Sequence, residues 1–124
     1  MIHITLPFPI SVNKAFAGYP RRHKSNEYVA WEKEAERAMR TQLKYEIEGD
    51  EWLALHYTLY TNLHYKNGGK KRIDGFNYEK IAIDFLTKKI TGFEDHKILT
   101  GSWDKREIDE KWERIEIFIE EVNP

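Results

Sequence analysis

The chain has 124 residues, 40% hydrophobic and 14% aromatic, enough to bury one core and too few for two ordinary domains. With no cysteine there is no disulfide, thiolate metal site or cysteine nucleophile, so carboxylates and five histidines are the candidate ligands and a hard cation is favoured. No run approaches the roughly 20 apolar residues of a membrane helix, and Met1 to Leu6 lacks the build of a signal peptide, so a soluble cytoplasmic protein with no membrane partner is expected.

A net charge of −1 is unusual for a nucleic-acid binder, because Lys and Arg supply most of the affinity for phosphate. The distribution matters more. Arg21, Arg22 and Lys24 form one basic cluster and Lys66, Lys70, Lys71 and Arg72 another, while acids crowd into residues 46–51 and the segment after Asp104. Each cluster taken alone also fits an ordinary solvated loop.

In chain order, Ile2, Ile4 and Leu6 alternate with His3 and Thr5, which predicts a half-buried strand ended by Pro7 and Pro9. A loop follows to about Lys24. Ser25 or Asn26 then caps a helix with Tyr28, Trp31, Ala35, Ala38, Met39 and Leu43 on one stripe, and Gly49-Asp50 lies beyond its end. Leu53, Leu55, Tyr57 and Leu59 predict a second strand stopping near the Asn67-Gly68-Gly69 turn.

A second helix is predicted over Phe76 to Lys89, with Tyr78, Ile81, Ala82, Phe85 and Leu86 on its apolar face and Asn77, Lys80, Asp84 and Lys88 on the opposite stripe. Strands over 97–103 and around Ile115, Ile117 and Ile119 complete the order βαβαββ. The expectation is a single α+β domain over residues 1–124, a small mixed sheet with two helices on one face.

Asp74 stands at the mouth of the second helix and Glu94-Asp95 in the turn after it. A helix of this length spans about 20 Å, so these acids meet only if the chain reversal brings them together. Taken alone, the pattern favours a dipole-stabilised helix acid and a surface turn over a shared site.

The opening Ile4-Thr5-Leu6-Pro7-Phe8-Pro9, followed by Ser11 and Asn13, resembles the start of the RusA family of Holliday-junction resolvases. Arg72, Asp74, Asn77 and Lys80, then Asp84, Leu86 and Thr87, then Phe93-Glu94-Asp95 and Ile98, resemble that family's central run, in order, over most of the chain. The resemblance implies a structure-selective, magnesium-dependent (or manganese-dependent) endonuclease that acts on four-way DNA junctions as a homodimer in recombination and repair. It carries Asp74 and Asp95 over as metal-binding carboxylates and Lys80 as the catalytic cation, chemistry suited to phosphodiester hydrolysis. Asn13, Lys14, Arg21, Arg22, Lys24, Lys70, Lys71, Arg72 and Asn77 are the expected DNA contacts.

One position departs from the family pattern: Phe76 stands where a second aspartate precedes the motif asparagine, and phenylalanine cannot ligate a cation. Glu94 is the expected substitute ligand, while Asp84 is read as an i,i+4 partner of Lys80 or Lys88. His23 and the loop aromatics Phe16 and Tyr19 can approach DNA, and His96 can assist at Asp95; His3 and His56 fall in strands. Two other readings remain: a junction-binding protein whose metal site Phe76 has disabled, and a protein-interaction module anchored by Trp52, Trp103 and Trp112.

Overall fold

The computed structural model describes residues 1–18, 21–42, 46–109 and 112–122; Tyr19, expected to approach DNA, and Leu43, expected on the first helix stripe, lie outside them. The alternating segments become β1 (Ile2–Pro7), β4 (Trp52–Thr61) and β6 (Arg114–Val122). Ile4 and Leu6 stand opposite Ile117 and Ile115 across β1 and β6, and Leu55, Tyr57 and Leu59 stand opposite Ile119, Ile117 and Ile115 across β4 and β6. Period-two alternation thus puts these eight side chains on one sheet face, where all are buried.

Helix α2 (Asn26–Arg40) and helix α3 (Phe76–Lys89) cover that face. Ser25 caps α2 by accepting from the Tyr28 N–H at 3.1 Å. The stripe Tyr28, Trp31 and Ala35 of α2 meets Ile81, Ala82, Phe85 and Leu86 of α3 in one core, with Trp31 edge-on to Phe85 at 5.4 Å. The Trp31 indole N–H donates to the Pro7 carbonyl at 3.1 Å, so the proline that ends β1 also anchors α2.

The sheet order is β1-β6-β4-β5, with β5 (Ile98–Glu107) parallel to β4 and every other pairing antiparallel. This is the expected α+β arrangement with a mixed sheet. Parallel β4 and β5 need a crossover, and α3 supplies it. Three further pieces escape the βαβαββ pattern: the single turn α1 (Val12–Ala15), the hairpin of β2 (Phe16–Ala17) with β3 (His23–Lys24), and a 3₁₀ turn at Asp95–Lys97.

Strand β5 outruns the expected end at residue 103 because it is an edge strand. Beyond Trp103 its residues Asp104, Lys105 and Arg106 face solvent or polar neighbours, so apolar alternation stops while backbone pairing with β4 continues to Glu107. At the other end of the crossover, Gly92 adopts φ 84°, and a side chain there would run into the Ile47 carbonyl. That glycine lets Phe93 return to the core and positions the acidic turn after it.

The helix-free face carries a polar ladder. His56 bonds Ser102 Oγ at 2.6 Å and Asp104 Oδ1 at 3.1 Å, and Thr58 and Arg106 donate to Asp104 at 2.6 and 2.9 Å. Burial pushes the Asp104 carboxyl up, but the bonds from Thr58, Arg106 and His56 outweigh it and hold it below the ordinary range. Among the described residues no helix is long and apolar enough to cross a membrane.

Candidate nucleic-acid interface

The residues singled out by sequence fall at three places along α3. The first is a basic pocket on its outer flank. Ser25 ties this corner together, its N–H donating to the Ala15 carbonyl at 2.8 Å and its hydroxyl to the Lys14 carbonyl at 2.7 Å. That fixes the β2–β3 hairpin beside α3, and a pocket of about 500 Å³ opens between them, lined by Val12, Phe16, Arg22, His23, Lys24 and Lys80. The motif lysine and the first basic cluster, 56 residues apart from Lys24 to Lys80, therefore share one surface.

The cations in this pocket are held in place. Arg22 lies over the Phe16 ring at 4.4 Å and Lys24 over Tyr28 at 4.9 Å. Lys24 donates to both Glu32 oxygens at 3.0 Å, and Lys88 approaches Glu32 at 3.7 Å. Contact with Lys24, then burial, lowers the pKa of Lys88, while the contact with Lys88 and the bond to the Glu32 carboxylate raise that of Lys24. Lys80 pairs with Asp84 at 3.4 Å, the expected i,i+4 contact, and stays largely exposed.

The second place is the N-terminus of α3. Asp74 accepts from the Phe76 N–H at 3.1 Å, the Tyr57 hydroxyl donates to the Gly75 carbonyl at 3.1 Å, and the Lys105 ammonium donates to the Ile73 carbonyl at 3.1 Å. Glu79, one turn in, is half-buried beside Gly101 of β5, and burial pushes its carboxyl up. Burial also raises the Tyr57 hydroxyl pKa, with the charges of Glu79 and Asp74 adding to the effect. Sequence reading missed Glu79. The helical wheel was the available signal, because Glu79 flanks the Ile81, Ala82 and Leu86 stripe on the side away from Lys80.

The third place is the acidic turn. Asp95 is exposed, and Glu94 approaches His96 at 3.5 Å and Lys97 at 3.8 Å. Lys97 gathers this end by donating to the Gly49 and Gly92 carbonyls at 3.4 and 3.3 Å. Gly75 packs on Trp103 and Glu79 lies beside Gly101, so α3 runs antiparallel to β5. Asp74 and Asp95 consequently lie at opposite ends of α3, about 20 Å apart by helix rise.

The donors are of the right type for magnesium or manganese, hard carboxylates, but one chain does not present Asp74 and Asp95 to a single cation. Among the described residues no three His, Asp or Glu side chains gather as a cation site. The second basic cluster sits near the Asp74 end: the Asn67-Gly68-Gly69 turn closes through Tyr65 N–H to Gly69 carbonyl at 2.8 Å, and Lys71 lies over the Tyr65 ring at 5.6 Å. Lys70 and Arg72 are exposed, as are Asn13 and Lys14, or nearly so, beside the first cluster. Trp52 and Trp112 are exposed, and Trp103 is half-buried.

Set against family models and against curated proteins, the chain matches none. The resemblance to RusA resolvases therefore rests on the residues quoted above.

Proposed function

We propose that this protein is a RusA-type, structure-selective endonuclease that binds branched DNA, four-way junctions above all, as a homodimer. The observation that carries this reading is the basic pocket: Arg22, His23, Lys24 and Lys80 converge on the flank of the helix whose mouth holds Asp74. Cations on a shallow, half-open surface suit phosphates of a DNA backbone, which position the duplex without reading its sequence. The basic loop at Lys66, Lys70, Lys71 and Arg72 leads directly into the Asp74 end of α3 and adds a second group of cations there.

Magnesium, or manganese, is the cofactor this reading implies, with Asp74, Asp95 and Glu94 as its ligands. Because Asp74 and Asp95 are apart in one chain, cleavage on this reading depends on the dimer to bring acids together. A four-way junction has two-fold symmetry, and paired nicks call for two sites related by the same axis. Two other readings each have an observation in their favour: a junction-binding protein that does not cut, supported by Phe76 in place of a motif aspartate, and a protein-interaction module, supported by the exposed Trp52 and Trp112.

The test incubates the protein with a labelled four-way junction and with linear duplex of the same sequence, in magnesium, in manganese and in chelator. Metal-dependent nicking of the junction, lost in Asp74→Asn, supports the endonuclease. Nicking that survives Asp74→Asn refutes the site, and junction binding with nicking only in Phe76→Asp favours the non-cutting reading.

A further inference from the structure

Phe76 is the residue that breaks the motif, and its surroundings give it a use. It is 66% exposed at the first position of α3, while Ile81, Ala82, Phe85 and Leu86 of the same helix are buried. So exposed a ring gains little from burial, and core packing does not account for it. Here the ring is held firmly: its own N–H is fixed by Asp74, the preceding carbonyl by the Tyr57 hydroxyl, and Gly75 lies so close to Trp103 that an added Cβ would sit 2.6 Å from the indole.

Behind Phe76 the aromatic rings continue inward. Phe76 meets Trp103 edge-on, centroids 5.8 Å apart at 78°, and Trp103 lies nearly parallel to Tyr57 at 6.4 Å. The result is a column from core to surface whose outermost ring has a free face. Cations flank it on the chain: Lys70, Lys71 and Arg72 precede it, and Lys105 is pinned to the Ile73 carbonyl three residues before it. Tyr65, 57% exposed with Lys71 over its ring, adds a second aromatic–cation pair in the same basic loop.

We propose that Phe76, backed by Trp103, is a stacking platform for an unpaired nucleobase at a DNA branch point, with the Lys70–Arg72 loop and Lys105 holding the flanking phosphates. The inference rests on the DNA-binding reading above and adds the part of the substrate recognised. A nucleobase fits better than a peptide side chain because four cations, Lys70, Lys71 and Arg72 just before it in the chain and Lys105 bonded to Ile73, stand against the single exposed carboxylate of Asp74, which suits a phosphodiester strand, and any base offers a π-face. The platform also explains how a branch is told from a duplex: only at a branch is a base free to leave its neighbours, and a rigid ring can cap it without reading its edge.

The test uses a four-way junction carrying 2-aminopurine at its crossing point, the same strand in linear duplex, and Phe76→Ala, Phe76→Leu and Phe76→Trp in the full chain. Expected are a change in 2-aminopurine emission and quenching of tryptophan emission when wild type binds the junction. Phe76→Ala and Phe76→Leu should lose both signals and about tenfold in junction affinity with little change on duplex, and Phe76→Trp should restore them. Equal junction affinity and signal in Phe76→Leu overturns stacking, as does wild-type junction binding without any emission change. If wild type binds no DNA at all, the DNA-binding reading falls first and this inference with it.

Discussion

Glu32→Gln probes the basic pocket by removing the carboxylate that holds Lys24. Glu32 is mostly buried, accepts from Lys24 at 3.0 Å through both oxygens and lies 3.7 Å from Lys88. A phosphate bound to Lys24 would sit about 6 Å from that carboxylate, where repulsion in a water-like dielectric is about 0.7 kcal/mol. Removing it should tighten binding about threefold per phosphate, and more if the pocket is partly shielded from solvent. The assay is anisotropy of a labelled four-way junction titrated at several salt concentrations, with the gain shrinking as salt rises. Glutamine keeps the size and one acceptor, so far-UV circular dichroism should be unchanged. Junction affinity that stays level or weakens at low salt, in a folded variant, would show that Lys24 and Lys88 do not face phosphate.

Other substitutions test separate parts of the molecule. Lys80→Ala, which removes an exposed cation with a single i,i+4 partner, should leave thermal stability within about 0.5 kcal/mol and reduce the slope of log affinity against log salt by about 0.9. Gly92→Ala places a side chain at φ 84° against the Ile47 carbonyl and should cost about 1–3 kcal/mol or more in denaturant unfolding, independent of any DNA effect. Asp104 is held below its ordinary pKa, so its contribution is present above the unfolded carboxyl pKa near 4 and fades as pH falls through the folded value. Asp104→Asn should therefore destabilise the protein at neutral pH and much less in strong acid, read by thermal melts across pH. Sedimentation should give twice the 14.9 kDa of one chain if the homodimer forms, and a mass that stays at one chain at high concentration counts against paired nicking.

Most of the fold could be read from local pattern. Ile2 to Leu6, Leu53 to Leu59 and Ile115 to Ile119 alternate because one sheet face is solvated, and Ser25 announces α2 because its hydroxyl caps the first turn. What could not be read is set by pairing between distant segments. The parallel match of β4 with β5, and the edge position that lets β5 run on through Asp104, Lys105 and Arg106, leave no periodic signal. The short α1 and the β2–β3 hairpin are too brief for periodicity, yet they build the pocket wall.

For the candidate site, spacing correctly warned that Asp74 and Asp95 are a helix length apart, and the antiparallel run of α3 along β5 keeps them so. The meeting of Lys80 with Arg22, His23 and Lys24 was not legible, because it depends on where Ser25 anchors the hairpin. Glu79 was not legible as a site residue, because it lies on the flank of α3 opposite the motif stripe of Asn77, Lys80 and Asp84. Phe76 was legible as a departure, but its contact with Trp103 of β5 was not.

The most direct measurement is competition for the protein between an unlabelled four-way junction and linear duplex of equal length and sequence, at physiological salt, with a labelled junction as probe. Branched-DNA recognition predicts displacement by junction at concentrations at least tenfold lower than by duplex, and changing both Arg22 and Lys80 to alanine should weaken the binding of both DNAs. Equal displacement by the two DNAs, or no displacement by either, would contradict it.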